Sequence, residues 1–226
     1  MPSETGLLAA LQYADSFFPS GAIAFSWGLE ALIADRQVTG AAELEAFLEG
    51  QLRHRWASFD RPFLVAAHRA AGDVDRLVRL DRLAEAMTLP RENREAAQRL
   101  GLALLGVHER LATPSAATYR ALVRAGEAPG QLPVVQGVLL DAVGLDEATA
   151  AAVSAHSLMT MLASAALRLG AINHIDAQRA LGAMRPILAG LLAEPTPEVE
   201  RAQAFAPAAD IAAMRHEIQT TRLFAN

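Results

Sequence analysis

Apolar residues recur at helical spacing along almost the whole chain, and this pattern restricts the fold more than any other feature. Leu100, Leu104, Val107 and Leu111 are an example, because residues three or four positions apart fall on one face of a helix. Ala and Leu, which supply most of the hydrophobicity, are among the strongest helix formers. We find no convincing strand and no repeat of fixed period. The sequence therefore predicts an all-α helical bundle of about ten helices with short loops.

The composition favours a soluble, cytoplasmic protein. With 226 residues, 52% of them hydrophobic, the chain can bury a full core. We predict one all-α domain over residues 1–226, with a flexible N-terminus (1–5) and a C-terminal tail (about 207–226). The net charge of −5 argues against nucleic-acid binding. Residues 148–167 carry no charge, but their Ala, Ser and Thr content favours a core helix over a membrane span.

Proline, glycine and short polar residues predict where several helices begin and end. Pro19 should end the first helix just after Phe18, because the residue before a proline avoids helical angles. Ser26 is the predicted N-cap of the second helix, and Asp176 is the predicted N-cap of a late helix. The helix after Thr39 either continues through Pro62 or breaks there.

Two residue types are missing, and their absence excludes several kinds of chemistry. The chain has no Cys, so it can form neither a disulfide nor a thiolate metal site. It also has no Lys, because all twenty basic residues are Arg. A Schiff-base lysine and the Gly-Lys-Ser/Thr phosphate loop are therefore excluded. Any GTP or ATP hydrolysis of that type would belong to a partner protein.

A sharp break interrupts the first helical region and is surrounded by aromatic residues. Pro19 and Gly21 lie at its centre, and four of the ten Phe and Trp residues lie within eleven positions of one another: Phe17, Phe18, Phe25 and Trp27. Such a segment is either a buried corner between helices or a surface that a partner covers. We predict that Phe25 and Leu29 face inward and that part of the break lies at an interface.

Two further features are candidates for partner contact. Arg168 is the only full charge in a long apolar stretch, which predicts a buried or half-buried arginine that either forms a pair within the chain or contacts a partner. The C-terminal run that contains Arg222, Leu223 and Phe224 either packs onto its own domain or becomes ordered against a partner. The six histidines include no pair at a spacing of three or four, so no helix face offers a two-histidine metal site.

Three separated segments form an ordered set of motifs. The first contains Pro19, Gly21, Phe25, Ser26, Gly28, Leu29 and Glu30. The second contains Pro133, Val134, Gly137, Gly144 and Leu145. The third contains His216, Glu217, Gln219, Arg222, Leu223 and Phe224. Together these motifs resemble the UreF family of urease accessory proteins.

The resemblance implies an all-α protein without catalysis of its own and without a tightly bound cofactor. Such a protein would bind a UreD/UreH-type accessory protein and the GTPase UreG, and the complex would load nickel into the urease apoprotein. A homodimer is also implied. The partner-binding candidates are Phe17, Phe18, Trp27, Glu30, Arg168, Arg222, Leu223 and Phe224.

One turn departs from the family pattern, and two other functions stay open. Where the family usually has Leu-Gly-Gln, this chain has Ala171 to His174, so His174 is a weak metal-binding candidate. The first alternative is an all-α regulatory domain that binds a small molecule. The second is an enzyme with a helix-lined pocket that uses His156, Arg168 or Glu30.

Overall fold

The computed structural model describes residues 3–21, 24–216 and 223–224, and this part of the chain is helical without any strand. The predicted all-α class is confirmed. The α-helices are α1 (Glu4–Ala14), α2 (Leu29–Ala34), α3 (Ala41–Gln51), α4 (Arg61–Arg69), α5 (Val74–Met87), α6 (Arg91–Arg110), α7 (Ala116–Arg124), α8 (Leu132–Ala142), α9 (Glu147–Arg168), α10 (His174–Ala193) and α11 (Pro207–His216). A π-helical segment (Leu52–Asp60) joins α3 to α4, and a 3₁₀ turn (Val199–Arg201) precedes α11.

The first two helices are shorter than predicted. α1 ends at Ala14 rather than Phe18, because the backbone of Asp15 is extended and its carboxylate accepts a hydrogen bond from the Phe17 N–H at 2.8 Å. The prediction that Ser26 caps α2 is wrong. Trp27 and Gly28 both have positive φ angles (53° and 84°), so helical geometry begins only after them.

The cap of α10 was also predicted at the wrong residue. The Asn173 side chain accepts hydrogen bonds from the backbone N–H groups of Ile175 (2.9 Å) and Asp176 (3.0 Å). Asn173 has the extended backbone of a cap, whereas Asp176 already lies inside the first turn. Asn173 belongs to the turn that departs from the family pattern, and it caps the start of α10.

Helical structure continues from α3 through the π-helical segment into α4, without a break at Pro62. The proline is tolerated because it lies next to the π-helical segment, at the start of α4. Beside it, the buried Arg61 guanidinium donates to the carbonyl oxygens of Leu191 (2.6 Å) and Glu194 (2.7 Å). Arg61 thereby satisfies carbonyls at the C-terminal end of α10 and fastens that end to α4.

α9 is the central helix of the described structure. It packs against α1, α2, α3, α4, α8 and α10. Within the described part of the chain, it alone is long and apolar enough to cross a membrane, yet most of that stretch is buried inside the protein. The expected core helix is therefore confirmed, and its small Ala and Ser residues let neighbouring helices approach closely.

Two close contacts hold α8, which carries the second family motif. Gly137 faces α4 so closely that a Cβ atom would overlap the Leu64 carbonyl oxygen, which explains a glycine at this position. At the start of α8, the buried Asp81 carboxylate accepts hydrogen bonds from Tyr119 (2.8 Å), Gly130 (2.7 Å) and Gln131 (2.7 Å). Burial raises the pKa of Asp81 to about 6.

Candidate partner-binding surfaces

The aromatic residues of the break point in different directions. Phe17 is 92% exposed. Phe18 is half-buried and packs against Tyr13 (ring centroids 5.2 Å apart) and the buried ring of His108 (5.5 Å). Tyr13 stacks on the same His108 ring at 5.2 Å. Burial lowers the pKa of His108 to about 4, so near neutral pH it is an uncharged ring that holds the segment after α1.

Trp27 and Phe25 belong to the core. The prediction that Phe25 and Leu29 face inward is confirmed, since both side chains are buried. Trp27 is buried as well, and the Arg55 guanidinium lies 4.2 Å from the centre of its ring. Among the aromatic residues of the break, Phe17 is therefore the one whose side chain lies open to solvent in this conformation.

α1 turns its alanines inward and its leucines outward. Ala9, Ala10 and Ala14 pack towards the core, together with Tyr13. On the other side, more than half of the surface of each leucine is exposed. We define the N-terminal apolar surface as these leucines and the exposed phenylalanine that follows them: Leu7, Leu8, Leu11 and Phe17.

α11 has the same arrangement at the other end of the chain. Its buried residues are alanines that face α2 and α6: Ala209, Ala212 and Ala213. Ile211 and Met214 are exposed, as is Leu223 further along the chain. We define the C-terminal apolar surface as Ile211, Met214 and Leu223.

The C-terminal segment is fastened to α2 by a carboxylate. Glu30, in the first turn of α2, accepts hydrogen bonds from the backbone N–H groups of Leu223 (2.6 Å) and Phe224 (3.2 Å). The Phe224 ring is buried, and the Arg168 guanidinium lies 4.6 Å from its centre. Three predicted partner-binding residues, Glu30, Arg168 and Phe224, are thus brought together by a contact within the chain. Arg222 lies outside the described residues.

Arg168 is not a charge within the apolar core. It is the last residue of α9, and its side chain is exposed. A positive charge there also favours the C-terminal end of the helix dipole. Its contact with the Phe224 ring supports packing within the chain, whereas contact with a partner stays a prediction.

The described part of the chain contains no cluster of metal-ligating side chains. No group of three or more His, Asp and Glu residues in this part of the chain could hold a metal ion. His174 is exposed at the start of α10, and its role as a metal ligand stays a prediction. His156 lies twelve residues before Arg168 on α9, about 18 Å along the helix axis at 1.5 Å per residue, so these two enzyme candidates do not converge.

Comparisons with known proteins cover both the middle and the ends of the chain. The UreF family model matches residues 38–185. The urease accessory protein UreF of Trichodesmium erythraeum is 33% identical to this chain, over 97% of the chain and 96% of its own length. The UreF proteins of Haemophilus influenzae (30% identical, 98% and 96% covered) and Actinobacillus pleuropneumoniae serotype 5b (29%, 96% and 97%) match at similar extent.

The full-length matches matter because both apolar surfaces lie outside residues 38–185. They extend the similarity to the ends of the chain, where two of the three recognised motifs are found. Accessory proteins of this kind are non-catalytic, so the comparisons confirm that the chain is not an enzyme. The chain belongs to the UreF family of urease accessory proteins.

Proposed function

We propose that the protein acts by contact in the delivery of nickel to apo-urease. It binds a UreD/UreH-type accessory protein and a UreG-type GTPase, and this assembly presents nickel to the urease apoprotein in the cytoplasm. The metal is cargo of the assembly, and the protein works as a homodimer. Its part is to gate the partner's GTP hydrolysis by holding the GTPase in place. The hydrolysis itself belongs to the partner, because this chain lacks the lysine of a phosphate loop.

One observation carries this proposal: both terminal helices turn alanines towards the core, partly buried in α1 and buried in α11, and expose larger apolar side chains. A helix that served only its own core would bury its larger residues, because burial of a leucine contributes about 1.5–3 kcal/mol. The opposite orientation leaves apolar area that a partner can cover. Apolar side chains beside aromatic anchors are typical of the centre of protein interfaces.

The test separates the two surfaces by introducing one charge into each. Leu8→Glu changes the N-terminal apolar surface, and Ile211→Glu changes the C-terminal one. Leu89→Glu is the matched control, because Leu89 is 79% exposed in the turn before α6 and belongs to neither surface. Each variant is co-expressed with the cognate UreD-type protein and the UreG-type GTPase, and co-purification and urease activation are measured.

We expect each surface variant to lose at least one partner and to lower urease activation, while Leu89→Glu keeps both. Because the altered side chains are exposed, the free energy of unfolding should change by less than about 0.5 kcal/mol. GTP hydrolysis by the GTPase is then compared with and without each variant. Wild-type co-purification and activation in both surface variants would refute the proposal.

The structure also sharpens the choice among the aromatic residues of the break. Phe17→Ala removes an exposed ring, so any loss of partner binding would come from the interface itself. Phe18→Ala and Trp27→Ala remove packed rings and would disturb the fold as well. Phe17→Ala is therefore the informative variant for a partner contact at the break.

A further inference from the structure

A partly open cavity of about 440 Å³ lies at the break and adjoins the N-terminal apolar surface, because Phe17 is one of its lining residues. The segment after α1 forms one wall, and the π-helical segment, α6, α8 and α9 form the others. π-Helical geometry inside a longer helix often marks a functional site. Here it places Arg55, Trp56 and Asp60 along the same cavity.

Three buried polar atoms of the cavity lining have no hydrogen-bond partner. They are Trp27 Nε1, Asp60 Oδ1 and Gln131 Nε2. Trp27 and Gln131 are each at least nine-tenths buried. An unsatisfied buried polar group costs about 1–3 kcal/mol, so three of them around one cavity favour a bound molecule that pairs with them.

The rest of the lining is already satisfied or apolar. Trp56 Nε1 donates to Ser154 Oγ (3.3 Å), which in turn donates to Gln136 Oε1 (2.9 Å), so these polar groups form a fixed part of the wall. Leucine, valine and methionine side chains cover much of the remaining surface: Leu100, Leu104, Leu139, Leu140, Val153 and Met161. A ligand must therefore combine an apolar body with a small polar group.

The charges around the cavity exclude a strongly charged ligand. Arg55 pairs with Asp60 at 3.4 Å. Asp210 of α11 also interacts with Arg55, which opposes the rise in the Asp210 pKa that burial causes. The single guanidinium is thus balanced by carboxylates. A carboxylate or phosphate ligand would lack a free counter-charge, and a cation would lie beside Arg55.

We propose that this cavity binds a small uncharged organic molecule of the amide or carbonyl class. Its oxygen accepts hydrogen bonds from the N–H groups of Trp27 and Gln131, and its apolar part lies against the leucine-lined wall. An amide N–H of the ligand can donate to Asp60. Since the segment after α1 forms one wall of the cavity, a bound molecule would hold that segment, and Phe17 with it, in one position.

The experiment uses the two tryptophans as reporters, because both line the cavity and the chain has no others. The full-length ¹⁵N-labelled protein is titrated with butyramide, and the indole N–H signals are followed by NMR. Trp56→Phe assigns the two signals. We expect the Trp27 signal to move saturably and the Trp56 signal to move less, because the Trp56 N–H already donates to Ser154.

Two variants and one control locate the site. Gln131→Leu removes one donor and should weaken butyramide binding about three- to tenfold, the effect of one neutral hydrogen bond. Ser157→Leu fills the cavity from α9 and should abolish binding. Gln178→Leu, on an exposed position of α10, should bind like the wild type. A retained Trp56 signal shows that each variant is folded.

Charged molecules of similar size complete the test. Butyrate and n-butylammonium should bind at least tenfold more weakly than butyramide. The proposal is overturned if the Trp27 signal shows no saturable movement up to the solubility limit of butyramide. It is also overturned if either charged molecule binds as tightly, or if Gln131→Leu and Ser157→Leu leave the titration unchanged.

Discussion

The two ends of the chain expose apolar residues in the same way but are fastened by different forces. The C-terminal end adds carboxylates to its alanine packing: Glu30 binds the backbone of residues 223–224, and Asp35 pairs with Arg215 on α11. The end that contains α1 is held by alanine packing and by rings around the neutral His108. Substitution, acid and salt should therefore affect the two ends differently.

The largest expected effect comes from Gly28→Ala, which attacks the C-terminal attachment. Gly28 has a φ angle of 84°, and an added Cβ atom would lie 2.5 Å from the Ala209 carbonyl oxygen of α11. Left-handed strain of about 1–2 kcal/mol would add to a backbone clash, so we expect a loss of about 3 kcal/mol or more in the free energy of unfolding. Urea denaturation measures this loss.

Gly72→Ala is the matched control for that variant. Its φ angle is 94°, but an added Cβ atom would meet nothing within 4 Å. We expect a cost of about 1 kcal/mol from the backbone strain alone. Equal costs at the two positions would mean that the packing of α11 against Gly28 contributes little to stability.

Acid should loosen the α1 end first. Burial lowers the pKa of His108 from 6.5 to about 4, so the unfolded chain binds a proton there between these values and the folded chain does not. The contribution of neutral His108 to the free energy of unfolding is fully present above pH 6.5 and is lost as the pH falls towards 4. Between pH 7 and pH 4.5 the loss should be about 2 kcal/mol.

Asp81 changes the free energy of unfolding with pH in the opposite direction, so a His108 variant is needed to isolate the contribution of His108. Burial raises the pKa of Asp81 to about 6, and its contribution is lost as the pH rises through that value. The measurement is therefore the pH dependence of the unfolding free energy in the wild type minus that in His108→Gln. No difference between the two proteins would contradict a neutral, buried His108.

Glu30→Gln should release the C-terminal segment by a smaller amount. The variant keeps the shape of the side chain but replaces one acceptor oxygen by an N–H donor that faces a backbone N–H group. Loss of a hydrogen bond to a charged acceptor predicts a cost of about 1.5 kcal/mol. Hydrogen exchange at the Phe224 amide should speed up, whereas exchange in α1 should stay the same. Faster exchange at both ends would show that they are coupled.

The sequence predicted the fold class better than the orientation of the terminal helices. The composition of the uncharged stretch identified α9 as a core helix, and the analysis of the proline–glycine break predicted the inward-facing Phe25 and Leu29. On α1, however, leucines and alanines form two opposite apolar faces, and periodicity alone does not say which face is buried. The alanine face is the one that packs against the core, because small residues let α1 approach its neighbours closely.

Contacts between distant segments were out of reach of the sequence for a related reason. Trp27 lies beside a proline–glycine break, which is typical of a surface, yet Arg55 covers its ring. Glu30 and Phe224 were both singled out, but their separation of 194 residues hid the hydrogen bond that joins them. A local pattern identifies such residues without saying whether their partner belongs to the same chain.

The smallest expected effect concerns the ion pair between α2 and α11 at the C-terminal end. Arg215 and Asp35 form two contacts of 2.5 and 3.3 Å, but the pair is largely exposed to solvent. A double-mutant cycle with Arg215→Met and Asp35→Asn should give a coupling of about 0.5 kcal/mol. In 1 M salt the screening length falls to about 3 Å, so the coupling should shrink, while the packing around His108 should persist. A coupling that resisted salt would mean that the pair acts through shape rather than charge, and the contrast between the two ends would then rest on Glu30 alone.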